Sequence, residues 1–130
     1  MIALDTSAIV AIALAEPEEE AYSREIARRE ALVGTPTLLE VRLVLASKVD
    51  DPDAFVTRFL LPPQVHSVAF SLEMYAAATQ AFDRFGKGRG HPAQLNICDC
   101  MAYAVASTHG VPLLFKGDDF AQTDIAPALP

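Results

Sequence analysis

The chain has 130 residues, 52% hydrophobic and 21% charged, which is enough apolar material for one packed domain and excludes a disordered chain. Ten Lys and Arg stand against 17 Asp and Glu, a net charge of -7, so a protein that holds nucleic acid through a general coat of positive charge is excluded and any such contact has to be local. The apolar opening from Ile2 to Ala15 lacks a basic leader and carries Asp5, which argues against a secretory signal, and charges or prolines interrupt every apolar run before it reaches bilayer length.

In chain order, Met1 to Leu4 reads as a strand ending at Asp5, with Thr6-Ser7 offering a cap for a helix over Ala8 to Ala15. Pro17 followed by Glu18, Glu19 and Glu20 starts a second helix running to about Glu30, because proline suits the first turn and acids suit the positive end of the helix dipole. Ala31 to Gly34 is a short strand, and Thr35-Pro36 opens a long helix through Leu38, Leu39, Val41, Val44 and Leu45, with Glu40 inside it. Asp50 to Asp53 caps a helix over Ala54 to Leu61, Pro62-Pro63 ends it, and Val65 to Phe70 alternates like a strand.

Ser71 to Phe85 is helical, and Gly86 to Gln94, with three glycines and a proline, is predicted to lack regular structure. Asn96 caps a helix carrying Asp99, Ala102, Tyr103 and Ala106, which Gly110 stops. Val111 to Phe115 makes another strand, a loop and short helix cover Gly117 to Ala121, and Thr123 to Ile125 is expected as a final edge strand. Cys98 and Cys100, two apart on a helix, point away from each other and cannot form a disulfide, so they read as packing residues in a soluble protein of the reducing cytoplasm. No repeat or linker divides residues 1–130, and a single domain is expected.

Short strands alternating with helices indicate parallel pairing and an α/β sandwich with helices on both faces of the sheet. Ligands of such sheets bind beyond the carboxyl ends of the strands, where Asp5 and the Asp118/Asp119 pair fall. Each acid also has a local explanation. Asp5 could cap the first helix, Asp99 could form a capping box with Asn96, Glu40 could snorkel to solvent, and Asp118 or Asp119 could start a turn.

Together, however, they describe a carboxylate pocket. Charged acids set among aliphatic residues are costly unless compensated, and Mg²⁺ or Mn²⁺ takes oxygen ligands, whereas zinc would call for His or Cys. His66, His91 and His109 are scattered without ligand spacing. A basic loop, Arg84-Phe85-Gly86-Lys87-Gly88-Arg89-Gly90-His91-Pro92, leads into the Asp99 helix, and its glycines would let Lys87 and Arg89 approach a phosphodiester.

Four segments in order, Asp5-Thr6-Ser7-Ala8, Thr37-Leu38-Leu39-Glu40, Asn96-Ile97-Cys98-Asp99-Cys100 and Leu113-Leu114-Phe115-Lys116-Gly117-Asp118-Asp119-Phe120, resemble the motifs of PIN-domain ribonucleases, and more narrowly the VapC-type toxins of type II toxin-antitoxin pairs. The resemblance implies a PIN-like three-layer α/β/α sandwich with a short, mostly parallel sheet. It implies Mg²⁺-dependent or Mn²⁺-dependent cleavage of structured RNA such as tRNA or rRNA, a cognate VapB-type antitoxin that inserts a C-terminal segment into the site, and a homodimer. Carried over, Asp5, Glu40 and Asp99 are the metal-site acids, and Thr6 is the small hydroxyl that holds a water or a phosphate oxygen. Many members place the fourth acid one residue before Asp118, where this chain has Gly117, so Asp118 and Asp119 are the candidates left for that role.

Two rival readings stand beside this one. Asp5 at the end of a first strand could be the nucleophile of an aspartyl-phosphate phosphatase, although Ser7 occupies the place of the usual second acid. A protein that binds RNA or a partner without cutting would need only the fold and the basic loop.

Overall fold

The computed structural model describes residues 1–130 and contains four strands, β1 (Ile2–Leu4), β2 (Ala31–Gly34), β3 (Val65–Val68) and β4 (Leu113–Leu114). Its helices are α1 (Thr6–Ala13), α2 (Glu19–Arg29), α3 (Thr35–Leu45), α4 (Pro52–Phe59), α5 (Leu72–Phe85) and α6 (Ile97–His109), followed by a 3₁₀ turn at Phe120–Gln122. The strands lie in the order β3-β2-β1-β4, and every pairing between neighbours is parallel.

Alternation along the strands sets the layers. Ala3, Leu32 and Leu113 face a core with Met74, Ala81 and Phe85 of α5 and Ala102, Tyr103 and Val105 of α6. Ile2, Leu4, Ala31, Val33 and Leu114 face the opposite way, onto Ala8 and Ile9 of α1, Tyr22 and Ile26 of α2, and Val41 and Leu45 of α3. The sheet is therefore covered on both sides, which is why β1, β2 and β4 read as unbroken apolar runs, while the edge strand β3 alternates. Each fully buried leucine, such as Leu113 or Leu114, contributes about 2 kcal/mol of burial free energy. No helix is long and apolar enough to cross a membrane.

Several boundaries differ from the sequence expectation for identifiable reasons. Helix α1 begins at Thr6 because Asp5, rather than Thr6-Ser7, is its cap: the Asp5 backbone is extended and its carboxylate accepts from the Ser7 amide. Strand β3 stops at Val68 and β4 spans only Leu113–Leu114. Thr123 to Ile125 forms no strand; instead the Leu113 amide donates to Ala126 and the Ala128 amide donates back to Leu113, so the tail pairs with β4 through a bridge at Pro127. The segment Gly86 to Gln94 is a series of turns closed at its base, where the Lys87 amide donates to Leu95 and the Leu95 amide to Phe85.

Gly34 is the junction between β2 and α3, and its bareness serves packing. A Cβ there would meet the Val105 side chain at 3.0 Å, so glycine lets α6 lie close to the carboxyl end of β2. That approach brings the first turn of α6 alongside α3, the two helices carrying Asp99 and Glu40.

Candidate active site

Asp5 follows the last residue of β1, and its amide continues the ladder by donating to the Leu114 carbonyl at 3.0 Å. Only 5% of the residue is exposed. Its Oδ2 accepts twice from Ser7, from the amide at 3.0 Å and from the hydroxyl at 2.6 Å. Burial raises its pKa above the ordinary carboxylate value, the Glu40 charge pushes the same way, and the Ser7 donors oppose both. Ser7 Oγ in turn accepts from the Lys116 amide at 2.9 Å, so the chain leaving β4 is tied to the acid that ends β1.

Glu40 lies on the half-buried side of α3, where it accepts from the hydroxyl of the buried Thr6. Thr6 thus gives its proton to a carboxylate of the site, a partner that residue spacing did not indicate. Asp99 is the third residue of α6 and forms the capping box anticipated from sequence: Asn96 Oδ1 accepts from the Asp99 amide at 2.9 Å, and Asp99 Oδ2 accepts from the Asn96 amide at 3.0 Å. The cap does not exhaust its role. Burial pushes its pKa up to about 6, and the charges of Asp5, Asp119 and Glu40 add to the rise.

Asp5, Glu40, Asp99 and Asp119 therefore share one electrostatic neighbourhood although they are remote in sequence. Asp119 is exposed, yet its charge reaches Asp99; Asp118 is exposed as well. None of these acids forms an ion pair, since the basic side chains that pair at all do so elsewhere. As they stand, no three His, Cys, Asp or Glu side chains are gathered at the spacing of a preformed ion site. Each acid is instead turned to its local donor: Asp5 to Ser7, Glu40 to Thr6 and Asp99 to Asn96. The donor set still fits a hard divalent cation, because it consists of carboxylate oxygens, is short of positive charge, and includes a buried acid whose ionised form needs compensation.

Cys98 is the residue the sequence reading assigned to packing that the structure brings to the site. Its thiol faces Glu40 and is pushed up to about 11, chiefly by burial, with Glu40, Asp99 and Asp5 contributing. A second network also escaped sequence reasoning. The Tyr103 hydroxyl donates to Asp124 at 2.6 Å, and Arg84 reaches the other oxygen at 3.2 Å while lying 4.5 Å over the Phe85 ring. Arg84 is thereby committed to the turn after Phe120, leaving Lys87 and Arg89 as the exposed, unpaired cations of the loop before α6.

The histidines lie away from the acids. His66 meets Glu30 at 3.3 Å, His91 Nδ1 accepts from the Ala93 amide at 3.1 Å, and His109 Nδ1 lies 2.9 Å from the Val105 carbonyl.

The family profile matching this chain is that of the PIN domain, over residues 2–126. The chain is 37% identical over 128 residues to ribonuclease VapC42 of Mycobacterium tuberculosis, covering 96% of this chain and 97% of that protein. It is 39% identical over 125 residues to ribonuclease VapC30 of the same species, covering 95% of each, and 39% identical to ribonuclease VapC of Mycolicibacterium smegmatis, covering 95% and 96%. The chain belongs to the PIN-domain family, in its VapC ribonuclease branch. Solved structures share the fold at lower identity. VapC20 of Mycobacterium tuberculosis, a Sarcin-Ricin loop cleaving toxin, superposes with a TM-score of 0.76 at 14% identity over 97% of both chains. FitAcB from Neisseria gonorrhoeae does so with a TM-score of 0.71 at 20% identity, over 98% of this chain and 96% of that one.

Proposed function

We propose that this protein is a Mg²⁺-dependent endoribonuclease, with Mn²⁺ as a substitute, and the toxin of a type II toxin-antitoxin pair. Its substrate is a structured RNA of the tRNA or rRNA class, its inhibitor a cognate VapB-type antitoxin, its working form a homodimer and its compartment the cytoplasm. The observation that carries the reading is the convergence of Asp5, Glu40 and Asp99 in one field with no basic partner, in a chain of the VapC branch.

Asp5, Asp99 and Glu40 are the residues that would hold the cation. When bound, it supplies charge neutralisation at the phosphoryl oxygens and acidifies water. Ser7 holds the Asp5 carboxylate, Thr6 that of Glu40 and the Asn96 amide that of Asp99, so gathering around the cation requires the acids to turn from these local donors. Glu40, or an acid of the Asp118/Asp119 pair, accepts the proton of the attacking water as the new bond to phosphorus forms and the bond to the leaving ribose oxygen breaks. Lys87 and Arg89 neutralise flanking phosphates.

The test is cleavage of total cellular RNA by the purified chain, with EDTA or added Mg²⁺, for wild type, Asp5→Asn and Asp99→Asn, with mapping of RNA ends after induction in cells. Metal-dependent cuts at defined positions, absent from both variants and silenced by the co-expressed antitoxin, are the expected result. Equal cutting by wild type and variants would refute the site.

A further inference from the structure

Lys116 leaves β4 next to the acids and has an unusual arrangement of bonds. Its amide donates to Ser7 Oγ at 2.9 Å, and that hydroxyl donates to Asp5 at 2.6 Å, so its main chain is two hydrogen bonds from the most buried acid of the site. Its ammonium is drawn away to the turn between α1 and α2, 3.2 Å from Glu16 Oε1 and 3.3 Å from Glu18 Oε1. The Glu18 contact is the longer of the two, and Glu18 Oε1 is itself buried.

The segment does not depend on these ion pairs for its position. Phe115 accepts from the Tyr22 hydroxyl at 3.1 Å, and the Leu114 carbonyl is taken by the Asp5 amide, so the backbone is held whether or not the ammonium stays in place. A lysine on a flexible four-carbon stem, exposed and shared between two carboxylates, is free to exchange partners. Ion pairs of an exposed lysine contribute little to stability, because water and salt screen them.

We infer that Lys116 is a phosphate-contacting residue held in reserve, with Glu16 and Glu18 standing in for the phosphodiester until RNA displaces them. The inference rests on the ribonuclease reading. Glu16 and Glu18 then set a threshold: an anion has to compete with two carboxylates for one ammonium, which favours a polyanion delivering several contacts at once over an isolated phosphate.

The test is binding of a fluorescein-labelled RNA hairpin by anisotropy across a salt series, in an Asp99→Asn background that leaves the probe intact, with wild-type cleavage measured in parallel. Lys116→Gln is expected to weaken binding about fivefold at low salt and to lower the salt slope by about 0.7–0.9, one phosphate's worth, while Lys116→Arg keeps the slope. Glu16→Gln combined with Glu18→Gln is expected to tighten binding about threefold, and that gain is expected to vanish when Lys116→Gln is added. An unchanged slope in Lys116→Gln, or a glutamate gain that persists without Lys116, overturns the inference and leaves the ribonuclease reading standing. A wild type that neither binds nor cuts RNA overturns both.

Discussion

The Thr6 hydroxyl donates to the Glu40 carboxylate, joining the first turn of α1 to the middle of α3 across 34 residues of sequence. The bond ties the orientation of one site acid to the helix that the neighbouring acid, Asp5, caps. Thr6→Val removes the donor with little change of shape, so Glu40 is left free to rotate into solvent. Cleavage is expected to fall about tenfold in kcat with KM nearly unchanged, and Thr6→Ser is expected to restore it. A thermal melt alongside should show a loss of about 1 kcal/mol, the worth of one hydrogen bond.

Asp5 and Asp99 each serve two purposes, as helix caps and as acids. Asparagine preserves a capping oxygen and removes the charge. Asp5→Asn and Asp99→Asn are therefore expected to fold normally, with Asp5→Asn at least as heat-stable as wild type because a buried ionised group is gone, while cleavage drops at least about 100-fold. Circular dichroism melts and an RNA cleavage assay on the same preparations check both halves.

The raised acids give stability a definite pH dependence in EDTA. The Asp99 carboxyl, at about 6 in the fold against an ordinary value of 3.8, keeps its proton between those values while the unfolded chain has released it. Its stabilising contribution is present below the ordinary value and is lost as pH rises through 6; Asp5 shifts in the same direction. Asp124 is lowered, first through its Tyr103 hydrogen bond, so its contribution is lost on acidification below the ordinary value, outside this window. The melting temperature is expected to fall from pH 5 to pH 7, with a shallower fall in Asp99→Asn. Added Mg²⁺ is expected to stabilise more at pH 7 than at pH 5, because ionised carboxylates bind it.

Asp119 is among the charges that raise the Asp99 carboxyl most. Asp119→Asn should therefore lower cleavage about tenfold more than Asp118→Asn, and should shift the pH midpoint of Asp99 further, downward because a like charge has been removed. Carboxyl chemical shifts followed by NMR titration read that midpoint directly.

Cys98 and Cys100 are both pushed up to about 11, first by burial. At pH 8 they remain thiols, so iodoacetamide should label the folded protein more than about tenfold slower than the urea-unfolded chain. Rapid labelling of Cys98 in the fold would contradict the environment described for it.

The layered sheet was legible because strands buried on both faces announce themselves as apolar runs, and an acid at the end of such a run stands out, as Asp5 does after Leu4. Asp99 was legible together with its capping box, since Asn96 and Asp99 stand at the spacing that a helix start requires. What escaped were pairings set only by how elements pack. Cys98 meets Glu40 through the packing of α6 against α3, and no spacing within either helix encodes that. The Thr123 to Ile125 strand failed for a related reason: the β-favouring residues flank Asp124, whose carboxylate is captured by Tyr103 and Arg84, and the chain resumes pairing only at Pro127. Between Asp118 and Asp119, adjacent and alike, only the turn after β4 could discriminate.

The strap formed by Ala126 to Ala128 seals the margin of β4. Foreign extended peptide would therefore find an open ladder along β3, the opposite flank of the sheet.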